Sequence, residues 1–333
     1  MTNFKQIKKG TISTPEGFSA DGIFCGLKSA GEGKLDLGVI LSDNDCNWAA
    51  TYTKNKIKSS SIDYCKEIKG KIRGVIVNSG SANCCVGSQG LTDARKIAML
   101  AKEKYKSKTP FLVSSTGVIG VEIPVGLIKK EIDNFNPSKA GGEKFSRAII
   151  TTDSKTKNIC IEVKTSKGMF KIGGVAKGSG MVHPKMGTML GYITTDALVD
   201  SKTLTDTLRK SVDISFNQID IDGDTSTNDT VIIMANGMSG QEIKNETDKK
   251  IFSEAIDYVS KFLARLIAED GEGISHLITT EVAGAINDDD ALKISNAVIS
   301  SSLVKTAVFG KDPNWGRIMM AIGNADAEMN RDK

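Results

Sequence analysis

The chain is 333 residues long, with 44 Lys and Arg against 40 Asp and Glu, and it carries a formal net charge of +4 at pH 7. That length can bury a sizeable core in one large domain or two, and the composition is that of an ordinary globular protein. The mild positive balance contains no block of like charge of the kind that forms a nucleic-acid arm, and no apolar run reaches the ~18 residues of a membrane-spanning helix.

In chain order, residues 34–41 (KLDLGVIL) and 74–77 read as strands, the second running into a glycine- and asparagine-rich turn at 78–83. Thr92 reads as the N-cap of a helix to about Tyr105, with Ala94, Ile97, Leu100 and Ala101 on one face. Residues 111–113 form a short predicted strand leading into a turn at 114–120. Strands at 159–163 and 169–172 flank a hairpin turn at 165–168. A buried strand is expected at 189–193, a helix at 203–211 and another strand at 231–234. The longest helix spans 248–268, with Phe252, Ala255, Ile256, Val259, Phe262, Leu263, Leu266 and Ile267 at helical spacing, and a further helix covers 290–300. This alternation predicts a mixed α/β fold; it does not give the strand order.

Residues 1–14 have no apolar stretch behind their lysines, so no secretory leader is expected. The six cysteines, Cys25, Cys46, Cys65, Cys84, Cys85 and Cys160, form no CxxC and no zinc-like spacing. They fit a reducing cytoplasm; the adjacent Cys84-Cys85 on a turn-rich segment are either a reactive pair or, the better reading, small buried residues. His183 and His276 are too few for a histidine metal cluster, and no metal is expected. The run Asp220-Ile221-Asp222-Gly223-Asp224 imitates a calcium loop but has its glycine in the wrong place, and Val231 where a bidentate Glu belongs, so structural hydrogen bonding is the better reading. Gly173-Gly174 and Gly178-Ser179-Gly180 match no dinucleotide or phosphate-loop signature.

The most informative segment is 176–197, AKGSGMVHPKMGTMLGYITTDA, which sets Gly187 directly before Thr188 at a strand entrance. A threonine hydroxyl there can attack the preceding carbonyl, and Gly187 offers no bulk against the tetrahedral intermediate. Scission frees an α-amine on Thr188, with a pKa of roughly 7.7–8, placed to act as general base for the adjacent hydroxyl. Read alone, a Gly-Thr pair is only a strand entrance, and Ser115-Thr116-Gly117 only a turn.

Taken together, the motifs resemble those of the ornithine acetyltransferases, or bifunctional glutamate N-acetyltransferases, of arginine biosynthesis. Lys177, Gly178, Gly180, Met181, Pro184, Thr188, Met189, Leu190 and Thr194-Thr195-Asp196-Ala197 match the family's self-cleavage region, with Gly187 standing where alanine is usual. Thr14-Pro15-Glu16-Gly17-Phe18, Asn78-Ser79-Gly80-Ser81-Ala82-Asn83, Ser115-Thr116-Gly117-Val118-Ile119-Gly120 and Thr151-Thr152-Asp153 follow in family order. So do the stretches at 220–230, 270–273, 304–307 and 309–317, ending in Asp312-Pro313-Asn314-Trp315-Gly316-Arg317.

The resemblance implies layered sheets flanked by helices, similar to N-terminal-nucleophile hydrolases. It implies cleavage between Gly187 and Thr188 into fragments 1–187 and 188–333 that assemble as an α2β2 particle. Thr188 would be the nucleophile, Thr116 and Gly117 the oxyanion pair, and Thr151, Lys177, Thr188 and Glu272 the substrate contacts. The implied reaction moves acetyl from N-acetylornithine to glutamate through an acetyl-threonine, with no resident cofactor. Some family members also take acetyl-coenzyme A as donor. The family runs on beyond the region matched at 312–317, so a C-terminally truncated member lacking part of the substrate pocket is expected. A self-cleaving aminopeptidase or amidase, or an inactive scaffold, are the alternatives.

Overall fold

The computed structural model describes residues 3–28, 33–183 and 189–330. Among them, nine strands form one sheet. In chain order the elements are β1 (Phe4–Gln6), β2 (Phe18–Ile23), β3 (Leu37–Tyr52), α1 (Ser60–Glu67), β4 (Ile72–Ser81), α2 (Gln89–Lys104), β5 (Phe111–Val118), α3 (Val125–Glu131) and α4 (Gly142–Ile149). There follow β6 (Lys157–Lys164), β7 (Met169–Lys177), β8 (Leu190–Thr195), α5 (Ser201–Asp213), β9 (Thr230–Ala235), α6 (Glu246–Ala268), α7 (Asp288–Ser300), α8 (Ser302–Phe309) and α9 (Trp315–Gly323). The strand order is β1-β6-β7-β8-β9-β3-β4-β5, with β2 added to β3. This is a mixed α/β fold with a large sheet flanked by helices, as the alternation of patterns predicts.

The long strand β3 joins the two halves of the sheet. Its first half pairs with β2 and β4, and Asn47–Tyr52 pairs with β9 after a register shift between Leu41 and Cys46. A bulge of this kind bends a strand and turns its far half toward new partners. Strands β8 and β9 are buried on both faces, and their side chains alternate accordingly. Ile193, Val231 and Ile233 join the core under α5 and α6, while Tyr192, Ile232 and Met234 join the core of β3, β4 and β5. Phe145 of α4 meets Tyr192 edge-on, with ring centroids 5.5 Å apart. Helix α6 follows directly from its sequence. The Asn245 side chain caps it by accepting from Asp248 N, Glu246 and Asp248 lie in the positive first turn, and the apolar stripe is buried. Helices α7, α8 and α9 close around a small core of their own, Val298, Val304 and Ala321.

Two boundaries differ from expectation. Helix α2 begins a turn before Thr92, with Ser88 as its flanking residue. The carbonyl of Gly90, in its first turn, accepts from Asn83 Nδ2 at 2.9 Å. Likewise 114–118 is strand rather than turn, because its polar residues pair in parallel with β4, from Val77↔Ser114 through Gly80↔Gly117 to Ser81↔Val118.

Candidate active site

Strand β5 delivers Thr116 and Gly117 to the mouth of a cavity, and a buried polar network fixes that delivery. Ser115 Oγ donates to Asn78 Oδ1 at 2.6 Å, and Asn228 Nδ2 donates to the carbonyls of Ala82 and Ser115 at 2.6 and 2.7 Å. The asparagine- and serine-rich motifs of the sequence therefore work as scaffolding beneath the strand. Gly117 has φ +131°, and a Cβ there would lie 2.3 Å from the Gly80 carbonyl carbon. Only glycine allows the two strands to approach so closely in that conformation.

Lys177, the last residue of β7, is 2% exposed. Its Nζ donates to Thr116 Oγ1 at 3.2 Å and to Thr151 Oγ1 at 2.9 Å. Among the described residues these two hydroxyls are its hydrogen-bond partners. Burial pushes its pKa down, and the nearby Asp153 carboxylate opposes that loss of charge. Across the antiparallel ladder Lys177 pairs with Leu190, two positions beyond Thr188 in the chain.

A buried ion cluster brings these parts together. Lys157, 0% exposed, donates from Nζ to Asp153 Oδ1 and Asp270 Oδ2, each at 2.6 Å. Asp153 also accepts from Gly178 N at 2.7 Å and from Thr151 N at 3.2 Å. Asp270 accepts from Ser154 N at 3.1 Å and from the Ser154 hydroxyl. Burial pushes both carboxyls up, but the lysines and the N–H donors outweigh it and hold each below the ordinary carboxylate value. The cluster thus ties the Thr151 segment, the end of β7 and the loop after α6 to one another. That loop carries Glu272, whose N donates to Ser179 O at 2.7 Å and whose carboxylate accepts from the Thr152 hydroxyl. A Cβ on Gly180 would lie 2.7 Å from Glu272 Oε1, so the glycine leaves room for the carboxylate.

Thr116, Gly117, Thr151, Lys177 and Glu272 all line one cavity of 1470 Å3. Five of the seven residues expected at the site from sequence therefore converge; Gly187 and Thr188 lie outside the described residues. Met189 N, the amide that follows Thr188, donates to Asp229 Oδ1 at 2.9 Å. Asp229 is fully buried, and burial raises its pKa well above the usual carboxylate range despite that bond. Sequence reasoning missed both Lys157 and Asp229. A lysine opening an alternating strand gives no local signal, while Asp229 sat inside a recognised motif without a role.

The discounted features fall elsewhere. His183 Nδ1 lies 2.7 Å from Asp220 Oδ1, and His183 does not line the cavity; the same Asp220 carboxylate also receives Lys305. Asp222 accepts from the amides of Met181 and Val182, at 2.5 and 3.0 Å, so the calcium-like run caps backbone. Among the described residues no group of three or more His, Cys, Asp or Glu could hold a metal ion. None of the described helices is long and apolar enough to cross a membrane.

The sequence profile of the ArgJ family matches residues 19–333. A Bacillus cereus protein named arginine biosynthesis bifunctional protein ArgJ is 44% identical over 99% of this chain and 82% of its own length. The protein of the same name from Geobacillus kaustophilus is 44% identical over 98% of this chain and 81% of its own. A crystal structure of arginine biosynthesis bifunctional protein ArgJ from Bacillus halodurans aligns with TM-score 0.52 at 35% identity, covering 56% of this chain and 98% of that one. The expectation of a C-terminally truncated member is not borne out by these matches, which take in nearly all of this chain and 82% of the Bacillus cereus relative.

Proposed function

This chain belongs to the ArgJ family and is an enzyme of arginine biosynthesis, and from that premise we propose how its cavity moves an acetyl group. After cleavage between Gly187 and Thr188, the Thr188 amine takes the proton of its own hydroxyl, and the oxygen attacks the acetyl carbonyl of N-acetylornithine. The tetrahedral oxyanion lies against Thr116 and Gly117. Because Lys177 donates into Thr116 Oγ1, the single proton of that hydroxyl is left to donate elsewhere, and a hydroxyl bonded to an ammonium is a strengthened donor. The amide C–N bond breaks, ornithine leaves with the proton, and acetyl-Thr188 remains. The amine of glutamate then attacks the ester, giving N-acetylglutamate and restoring the hydroxyl.

Lys177 suits a substrate carboxylate and Glu272 a substrate amine, both on the wall of one cavity. The observation that carries this reading is the buried Lys177 ammonium bonded to the two threonines of the matched motifs. The chain's own groups carry the chemistry without a resident cofactor. Strands β7 and β8, on either side of the cut, are neighbours in one sheet, which supports fragments 1–187 and 188–333 staying bound to each other; an α2β2 particle in the cytoplasm is the assembly that completes the proposal.

Intact mass under denaturing conditions tests the proposal, with Thr188→Ala as control. The expected result is two fragments split at Gly187–Thr188 in the parent and one chain in the control. Exposure to N-acetylornithine should make the fragment beginning at Thr188 one acetyl group heavier, and glutamate should discharge it. Discharge by water at the same rate would replace transfer with hydrolysis; a chain that stays whole would refute the nucleophile.

A further inference from the structure

The cavity holds a second cation that none of the matched motifs includes. Lys28 lies on its wall with Thr116, Gly117, Thr151, Lys177 and Glu272. The backbone that carries it is firmly held. The buried Asp36 carboxylate accepts from the amides of Cys25, Leu27 and Lys28 at 2.6, 2.7 and 3.2 Å. A Cβ on Gly80 would fall 2.4 Å from the Leu27 carbonyl oxygen, so this segment lies directly over the register partner of Gly117.

Lys28 Nζ donates to the Leu35 carbonyl at 2.8 Å, its one side-chain hydrogen bond among the described residues. Toward the described residues, two of the three ammonium N–H groups are thus left for a ligand. A partly buried ammonium in that state is a receptor for an anion. The other cations of the wall are less suited. Lys34 and Lys155 are exposed. The Lys144 side chain is 66% exposed beside Asp21, and that of Arg147 is 66% exposed beside Glu143.

A glutamate acceptor carries two carboxylates and one amine. Lys177 and Glu272 account for one carboxylate and the amine, which leaves the second carboxylate without a counter-charge. We propose that Lys28 is a specificity-determining residue that receives the side-chain carboxylate of the acceptor amino acid. This rests on glutamate being the acceptor. The same charge opposes the side-chain ammonium of ornithine, so Lys28 separates the two substrates that share the cavity.

Burial lowers the Lys28 pKa to about 8, with Asp36 and Asp153 opposing and Lys177 and Lys34 assisting the shift. Glu143, Lys144, Arg147, Lys155 and Glu272 complete the charged groups of the wall. The glutamate-to-glutamine affinity ratio is therefore expected to fall as pH rises through about 8, since the groups that hold the parts common to both ligands cancel in the ratio.

The test is calorimetric titration of the whole protein with glutamate, glutamine and ornithine, for the parent, Lys28→Met and Lys28→Arg. In the parent, glutamate should bind about tenfold to a hundredfold more tightly than glutamine, the worth of one hydrogen bond to a charged group. Lys28→Met should abolish that ratio and leave ornithine binding equal or tighter, and Lys28→Arg should retain it. A parent that does not distinguish glutamate from glutamine overturns the inference. So does a Lys28→Met protein that keeps the ratio or loses all three ligands alike. The parent's pH dependence tests the same point without any substitution, and a glutamate-to-glutamine ratio that stays level through that range also overturns it. Failure of the acyl-transfer reading looks different: no acetyl on Thr188, whatever the three affinities are.

Discussion

Thr116→Val is the sharpest probe of the oxyanion assignment, because valine keeps the shape of threonine and removes only the hydroxyl. Thr116 is 4% exposed, and its Oγ1 accepts from Lys177 Nζ at 3.2 Å. Loss of one oxyanion donor costs about 10²–10³ in turnover, or ~2.7–4 kcal/mol. The donor here is backed by a buried ammonium, which points to the upper end, about 10³. The stability cost should be much smaller. Lys177 keeps the Thr151 hydroxyl at 2.9 Å, so its ammonium is not stranded, and the loss is about 1–2 kcal/mol. The assay is the rate at which acetyl appears on the Thr188 fragment, followed by intact mass and normalised to cleaved protein, beside a urea unfolding curve. Thr116→Ser, which restores the hydroxyl, should return turnover to within about fivefold of the parent, ~1 kcal/mol. A folded, cleaved Thr116→Val protein that keeps more than about a tenth of the parent rate would refute the assignment.

Lys157→Met should destabilise the fold by about 3–5 kcal/mol in urea unfolding, because it removes the ammonium that bridges the buried carboxylates of Asp153 and Asp270. The same pair sets an acid limit. Both carboxyls are held below their unfolded pKa of roughly 3.9, so their contribution is present above that pH and lost as pH falls through it toward the folded values. Lys157→Met should flatten the stability-versus-pH curve in that range. Gly117→Ala should lower both stability and turnover, since the added carbon meets the Gly80 backbone at 2.3 Å; parent values for both would show that the strands can separate there. A thiol reagent at pH 8 should label Cys85 in the native protein while Cys25, Cys46, Cys65 and Cys160 resist, being buried with pKa values pushed up to about 12. Cys85→Ser should abolish rapid labelling, and equal labelling of the buried thiols would contradict their burial in the core.

What could be read from the chain itself is local. Helix α6 and the β6–β7 hairpin advertise themselves by period and turn, strands β8 and β9 by short continuous apolar runs, and burial followed. The motif spacing named Thr116, Gly117, Thr151, Lys177 and Glu272 through resemblance, and tertiary structure gathered them around one cavity. Polar segments misled. The run at 114–118 looks like a turn until strand β4 supplies its ladder, and helix α2 begins a turn before Thr92.

Charge was the least legible property. Lys157 looks like any surface lysine in sequence, yet its partner Asp270 is 113 positions away. Lys177 meets Thr116 across 61 positions. Lys28 drew no notice until the fold set it beside them. Periodicity and motif spacing are short-range properties of the chain. The burial of a charge, its counter-ion and its pKa depend on which distant segments fold against it, so only the tertiary structure decides them.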